Sequence, residues 1–471
     1  MSALLSEQDL NDFISPGLAC IKPAKVQAKE AENENGEIEV GKESNELEKV
    51  SITLQDCLAC VGCITSSEEI LLSRQSYTVF LENWESLIKT GNLELVVSLS
   101  PQSRVSLSEH FDMELKQFDI KLFKFFQKQF DCKYIVGTQI GREITIVETN
   151  KAIEEGRGKL CSVCPGFVLY CEKSKPELVP LLVNVKSPQQ FTGQLIKNYY
   201  SGIYHLSIMP CFDKKLEASR EDSVDEVDCV ITPKEFLNML TELGGMAEMF
   251  DKDIVEADDG ILRDMSPKEW SNWESHLGVT SGSSSGGYAY QYILNERRKM
   301  EGSSIVTVQG KNSDVVEYHL VAGSDGTVLK RSCELYGFRN IQNMVRKLGN
   351  KEKKRVMSIK KRTASMRTGT TNGGASNVND IDFIEVMACP KGCINGGGLV
   401  NDSNNKKTNS MYIDKLNRRY HSELPALAPP PASIDPAIVN KQYEFHTTAT
   451  DDAAASLAAA EQMLVAMGSS W

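Results

Sequence analysis

The chain has 471 residues, two to four times the roughly 100 to 200 of an ordinary domain, so two or three folded units with ample core are expected. Apolar residues make up 41% and charged residues 25%, and no stretch approaches the roughly 18 apolar residues of a membrane span, which excludes a small stapled peptide and an integral membrane protein. The balance of 52 basic against 64 acidic side chains, net −12, offers no general attraction to phosphate backbones and argues against a dedicated nucleic-acid binder.

The opening MSALLSEQDLNDF has neither a cationic start with an apolar stretch nor an Arg-rich amphipathic pattern, so a cytosolic or nuclear compartment is expected. Thirteen cysteines in such a chain are a poor fit to disulfides and a better one to metal ligands or catalysts. The segment 1–75 reads as a small cluster module. Cys57, Cys60 and Cys63 form a C-x2-C-x2-C run that brings three thiolates around one turn of backbone, the opening of a ferredoxin-type site. Ile64-Thr65-Ser66-Ser67 follows where a ferredoxin has its fourth cysteine, and Cys20 is the candidate to close the set. It stands upstream of a polar, acidic insert at 25–49 whose flexibility would let it fold back. Tetrahedral zinc is the competing metal.

From 84 to 223 apolar strands alternate with helices: LELVVSLSP, the helical LKQFDIKLFKFFQKQF, YIVGTQIG, then CSVCPGFVLY. This βαβ pattern predicts an α/β lobe with a parallel sheet. A second α/β lobe is expected at 228–422, with strands at DCVI, SIVTVQG, EYHLVAG and DFIEVMA, and the two lobes would leave a cleft between them. Cys164, Cys211, Cys389 and Cys393 lie in loops rich in Pro and Gly, several of them directly after an apolar run. In open α/β sheets ligands bind beyond the carboxyl ends of strands, so four thiolates from separate loops would converge there. Cys132, Cys161, Cys171, Cys229 and Cys333 lack that setting and read as small core residues.

TSGSSSGGYAYQ places a Gly/Ser loop before a helix, either a plain loop or one that lines the cleft and presents amides to an anion. It does not match a nucleotide P-loop. Nine basic residues between Arg346 and Arg362 lead into a stretch without apolar periodicity, so 350–380 reads as a disordered surface insertion. The remainder, 423–471, reads as a Pro-rich linker, an Ala-rich helix and a tail ending in Trp471, an aromatic terminus suited to docking.

Cys164-Pro165-Gly166, Met209-Pro210-Cys211 with Lys214 and Glu217, and Met387-Ala388-Cys389-Pro390 running through Gly392-Cys393 to Gly396-Gly397-Gly398 resemble the three signature loops of iron-only hydrogenases. The similarity spans roughly Val96 to Gly398. It points to the eukaryotic, hydrogenase-like branch of cytosolic iron-sulfur assembly factors related to the nuclear prelamin A recognition factor, which also carries a four-cysteine N-terminal site matching Cys20, Cys57, Cys60 and Cys63. The resemblance implies two hydrogenase-like lobes and two [4Fe-4S] clusters, the second on Cys164, Cys211, Cys389 and Cys393 at the lobe interface. It also implies as partners the P-loop ATPase scaffold and the β-propeller-containing targeting complex of that pathway. Lys214 would point a cation into the cleft. Hydrogenases carry a proton-relaying cysteine directly before the ligand of the first loop, where this chain has Val163; Asp213 and Lys391 are further departures. A cluster-holding assembly factor without hydrogenase activity is therefore expected, with a true hydrogenase as the rival.

Overall fold

The computed structural model of the chain describes residues 72–446, apart from 224, 245–248, 255–259, 271–272, 324–325, 358–377, 401–405 and 429–440. Strands β1 (Glu94–Leu99), β2 (Tyr134–Gly137), β3 (Ile203–Ile208) and β4 (Cys229–Ile231) form one sheet in the order β2-β1-β3-β4, with every pairing parallel. Their near-continuous apolar character is what a sheet covered on both faces demands, and β1 and β3 are buried almost throughout. The polar residues inside them satisfy one another: Ser98 Oγ donates to Ser207 Oγ at 2.9 Å, and the His205 ring meets Ser98 Oγ and the Glu226 carbonyl, both at 2.8 Å.

The helices that leave the carboxyl ends of β1 and β4 start under local capping. Ser100 follows β1 and accepts from the Ser103 amide, Thr232 follows β4 and forms a capping box with Glu235, and both precede a proline at the first helical position. Helix Leu115–Phe130 supplies much of the core on one face: Phe118, Phe123, Phe125, Phe126 and Phe130 are fully buried. Phe125 meets the Phe236 ring edge-on at 5.7 Å. Arg104 and Asp119, both 2% exposed, form a two-pronged ion pair beneath this cluster.

The second half begins with the short β5 (Val279–Thr280). β6 (Ser304–Gln309), β7 (Val315–Val321), β8 (Val328–Tyr336) and β9 (Phe383–Met387) then form a sheet in that order. The last short strand, β10 (Ala426–Leu427), pairs with β5. Leu160, just before the first cysteine loop, bridges to both Leu182 and Ile384 and so ties that loop to β9.

Four details depart from the sequence expectation. DCVI extends the first sheet, as β4 beside β3, rather than opening the second lobe; three buried apolar residues do not say which sheet they join. Parallel pairing holds throughout the first sheet and between β8 and β9, whereas β6, β7 and β8 pair antiparallel, because the short links between them can only turn the chain back. β8 itself was not among the expected strands. The insertion expected at 350–380 starts later, since helix Phe338–Met357 runs through its first part and Val378–Asp380 forms a 3-10 turn; 358–377 lie outside the described residues. Among the described residues no helix is long and apolar enough to cross a membrane.

Candidate metal centre

Three loops meet where the strands end. Cys164 is the residue before helix Pro165–Ser174, and its sulfur accepts from the Ala388 amide at 3.4 Å, so the first loop faces the third. Cys211 follows β3 through Met209-Pro210, and the Pro210 carbonyl accepts from the Gly398 amide at 3.0 Å, so the second loop also faces the third. Cys389 and Cys393 follow β9, with Lys391 and Gly392 turning the chain between them at φ of 60° and 80°. Ser285 Oγ accepts from the Cys393 amide at 3.0 Å, and a Cβ at Gly392 would fall 2.1 Å from that same oxygen. Close approach thus requires glycine at 392 twice over, by backbone sign and by space.

The four thiols lie within one another's electrostatic reach. Burial pushes Cys211 and Cys389 well above the ordinary thiol value, and the neighbouring thiols and Asp213 push further. Cys393 is pushed up to about 12 by burial and then by Cys164, with Lys214 pulling the other way. Alone, such thiols stay protonated; only a cationic centre would draw them out as thiolates. Among the described residues no three His, Cys, Asp or Glu side chains converge on a point that would hold one metal ion. Four cysteine thiolates are the donor chemistry of a [4Fe-4S] cluster, which takes one on each iron, and also of tetrahedral zinc. All four are part-exposed, whereas Cys132, Cys161, Cys171, Cys229 and Cys333 are buried in the cores.

Lys214, 9% exposed, donates to both Glu217 carboxylate oxygens at 3.0 and 2.9 Å and to the Val163 carbonyl at 3.2 Å. Its cation therefore clasps the second loop to the first and lies close enough to favour the thiolate forms of Cys164 and Cys393. Glu217 is held in turn by Ser187 Oγ at 2.7 Å and Gln189 Nε2 at 3.1 Å. Val163 is buried among apolar side chains and carries no transferable proton. Asp213 sits over Gly166, where a Cβ would approach its Oδ2 to 2.7 Å, and burial raises its carboxyl above the usual range. Lys391 points away from the cysteines, to Asp414 at 2.6 Å and Ser410 Oγ at 3.0 Å.

The Gly/Ser loop touches the site through Ser285, and the helix it opens has its anion already in place: the Ala289 amide donates to Glu385 Oε2 at 2.9 Å. Ser283, Ser285 and Glu385 were not singled out from the sequence; an acid inside the apolar FIEVM run was the signal available. Cys20, Cys57, Cys60, Cys63 and Trp471 lie outside the described residues.

A fully parallel sheet and a mixed sheet, joined by three cysteine-bearing loops of which two follow β3 and β9, are the architecture shared with the iron-only hydrogenases. The family described as iron only hydrogenase large subunit, C-terminal domain, matches residues 93–397. Two solved variants of the [FeFe]-hydrogenase HydA1 from Chlamydomonas reinhardtii, one of them an apo form, superpose with TM-scores of 0.52 and 0.53 at 19% identity, each covering 79% of this chain and 91% of that one. Identity at that level carries the fold alone. The cytosolic Fe-S cluster assembly factor NAR1 of Kluyveromyces lactis is 52% identical over 433 residues, covering 89% of this chain and 91% of that protein. Its namesake in Saccharomyces cerevisiae is 45% identical and covers 100% of both. The chain belongs to this family of hydrogenase-like cytosolic iron-sulfur cluster assembly factors.

Proposed function

We propose that this chain works in the cytosolic iron-sulfur protein assembly machinery as a non-enzymatic carrier of two [4Fe-4S] clusters, in the cytosol and the nucleus. One cluster would be held by Cys20, Cys57, Cys60 and Cys63, the other by Cys164, Cys211, Cys389 and Cys393. The chain would receive clusters from a P-loop ATPase scaffold and help pass them to a β-propeller-containing targeting complex that serves cytosolic and nuclear apoproteins, with Trp471 as a docking residue. The names of its relatives support the pathway. The observation that carries the reading is the meeting of four part-exposed thiols from three loops, clasped by Lys214, with apolar Val163 at the position where a hydrogenase needs a proton carrier.

A bound cluster would supply electron-accepting iron and exchangeable sulfide. The chain's own residues present the four sulfurs, offset their charge through Lys214 and bind the three loops to one another. Iron and acid-labile sulfide on anaerobically purified protein should come to about eight of each per chain, and Cys60→Ala and Cys393→Ala should each lose up to about half. Zinc in place of sulfide would end the cluster reading. Vigorous hydrogen evolution with a reduced viologen would instead favour the hydrogenase. Removal of Trp471 should weaken recovery with the propeller partner, and unchanged recovery contradicts the docking role.

A further inference from the structure

Behind the Cys393 loop two carboxyl groups lie side by side in the core. Glu334 on β8 and Glu385 on β9 are register partners in a parallel pair, and they are 5% and 0% exposed. Parallel neighbours in register present their side chains to the same face, so two acids share one buried space. They are not equivalent. Glu385 accepts from the Ala289 amide at 2.9 Å, the Tyr336 hydroxyl at 2.9 Å and Ser283 Oγ at 3.1 Å. Glu334 accepts from the Tyr318 hydroxyl at 2.8 Å. The Tyr336 hydroxyl has a single proton and also meets Ser283 Oγ at 2.7 Å and Glu334, so the donors particular to Glu385 are the Ala289 amide and Ser283 Oγ; with Arg142 acting across from helix Gln139–Glu154, they favour the ionised form at Glu385 over Glu334. Two carboxylates buried together cannot both ionise cheaply, which leaves the proton on Glu334.

The pair is wired to the cysteine site. Ser283 Oγ, which touches Glu385, also accepts from the Ser285 amide at 3.2 Å, and Ser285 Oγ accepts from the Cys393 amide at 3.0 Å. On the other side Tyr318 is part-exposed and joins Glu334 to solvent. The remaining titratable neighbours are weak acids: Tyr288, Cys161 and Cys393 face Glu385, and Tyr336 and Cys333 share the field of both carboxyls. Burial, then the charge of Glu385, raises the Glu334 carboxyl; burial also raises Glu385, and its hydrogen bonds oppose that.

We propose that Glu334 and Glu385 form a proton-holding site whose occupancy is coupled to the charge of a cluster on Cys164, Cys211, Cys389 and Cys393. The coupling rests on the second cluster proposed above. When a one-electron donor such as reduced viologen adds an electron to that cluster, the pair takes one proton from water by way of Tyr318, and a carboxylate beside a carboxylic acid becomes two carboxylic acids. Reoxidation returns the proton. Reduction adds negative charge nearby and so favours the protonated pair, which makes the potential of this cluster fall as pH rises.

Two measurements on the full-length protein test this. In anaerobic, cluster-free protein at neutral pH the infrared carbonyl stretch of a neutral carboxylic acid should be present and should disappear in Glu334→Gln. In Tyr318→Phe, which leaves both carboxyls in place, the stretch should persist to higher pH. In reconstituted protein the midpoint potential of the paramagnetic signal that is absent from Cys393→Ala should drop with pH, at most tenfold in the equilibrium or about 59 mV per unit, and the slope should flatten in both Glu334→Gln and Glu385→Gln. A missing carboxylic-acid stretch, or one that survives both glutamine variants, overturns the shared proton. A pH-independent potential with the cluster present overturns the coupling. If Cys393→Ala loses no iron, the cluster reading fails and the coupling falls with it, whatever the infrared result for the pair.

Discussion

Replacing Gly396 by alanine should open the cysteine site without touching a cysteine. Gly396 has φ −62° and ψ 140°, backbone that any residue adopts, so glycine is not needed there for its conformational freedom. It is needed because a Cβ would stand 2.3 Å from the Pro210 carbonyl oxygen and 2.9 Å from the carbonyl carbon. Both are backbone atoms of the loop that carries Cys211, and they cannot swing aside as a side-chain tip would. Ordinary contact begins at 3.4 Å, so the second and third loops must part by roughly 1 Å. Overpacking of this kind costs about 1 to 3 kcal/mol, and the Gly398 amide bond to Pro210 stretches with it. Iron and sulfide analysis after anaerobic reconstitution should show loss of up to about half the content, the share of the site that contains Cys211. Gly91→Ala is the control. Gly91 has φ +79° with nothing within 4 Å of a Cβ, so it should lose only about 1 kcal/mol to backbone strain and keep its full iron. Full iron in Gly396→Ala, with a melting temperature equal to wild type, would refute the idea that these loops are packed to hold one cluster.

Lys214→Met strips the buried Glu217 of its cation and should destabilise the fold by about 3 to 5 kcal/mol in urea, and Lys214→Met with Glu217→Gln should recover much of it. Phe126→Ala, in the fully buried phenylalanine cluster, should lose about 3 to 5 kcal/mol by the same assay, with iron content per folded chain unchanged. Burial lowers His205 to about 4 and His276 to about 3, below their unfolded value near 6.5. Both rings are therefore neutral when folded, and the stability they contribute is present above about pH 6.5 and is lost as pH falls toward about 4. Urea melts over that window should weaken by roughly 1.4 kcal/mol per pH unit for each ring, and His276→Gln should flatten the slope.

What could be read from the chain before the fold was known depended on whether the information was local. The third loop is written in consecutive residues, Met387 to Gly398, and its apolar lead-in marks a strand end. Lys214 and Glu217 stand three apart, the spacing that lets helical neighbours pair, and they do. The sheet to which Cys229–Ile231 belongs was not legible, because its partner Leu206–Ile208 is set by tertiary packing. Helix Phe338–Met357 was hidden by charge: its run of basic residues drew attention from Ile341, Met344, Val345 and Leu348, whose helical spacing packs one face onto the core. Glu334 and Glu385 were missed for another reason: Glu385 sits in the apolar FIEVM run, Glu334 sits in a strand whose Lys330, Arg331 and Ser332 break the apolar pattern, and only the register sets the two side by side.

The central claim, that this chain assembles clusters for other proteins rather than catalysing a reaction with its own, is tested most directly by following radioactive iron into a cytosolic [4Fe-4S] enzyme in cells depleted of the chain. Incorporation should collapse on depletion and return with the wild-type chain but with neither Cys60→Ala nor Cys393→Ala. Normal incorporation in depleted cells, or full rescue by Cys393→Ala, would contradict the account.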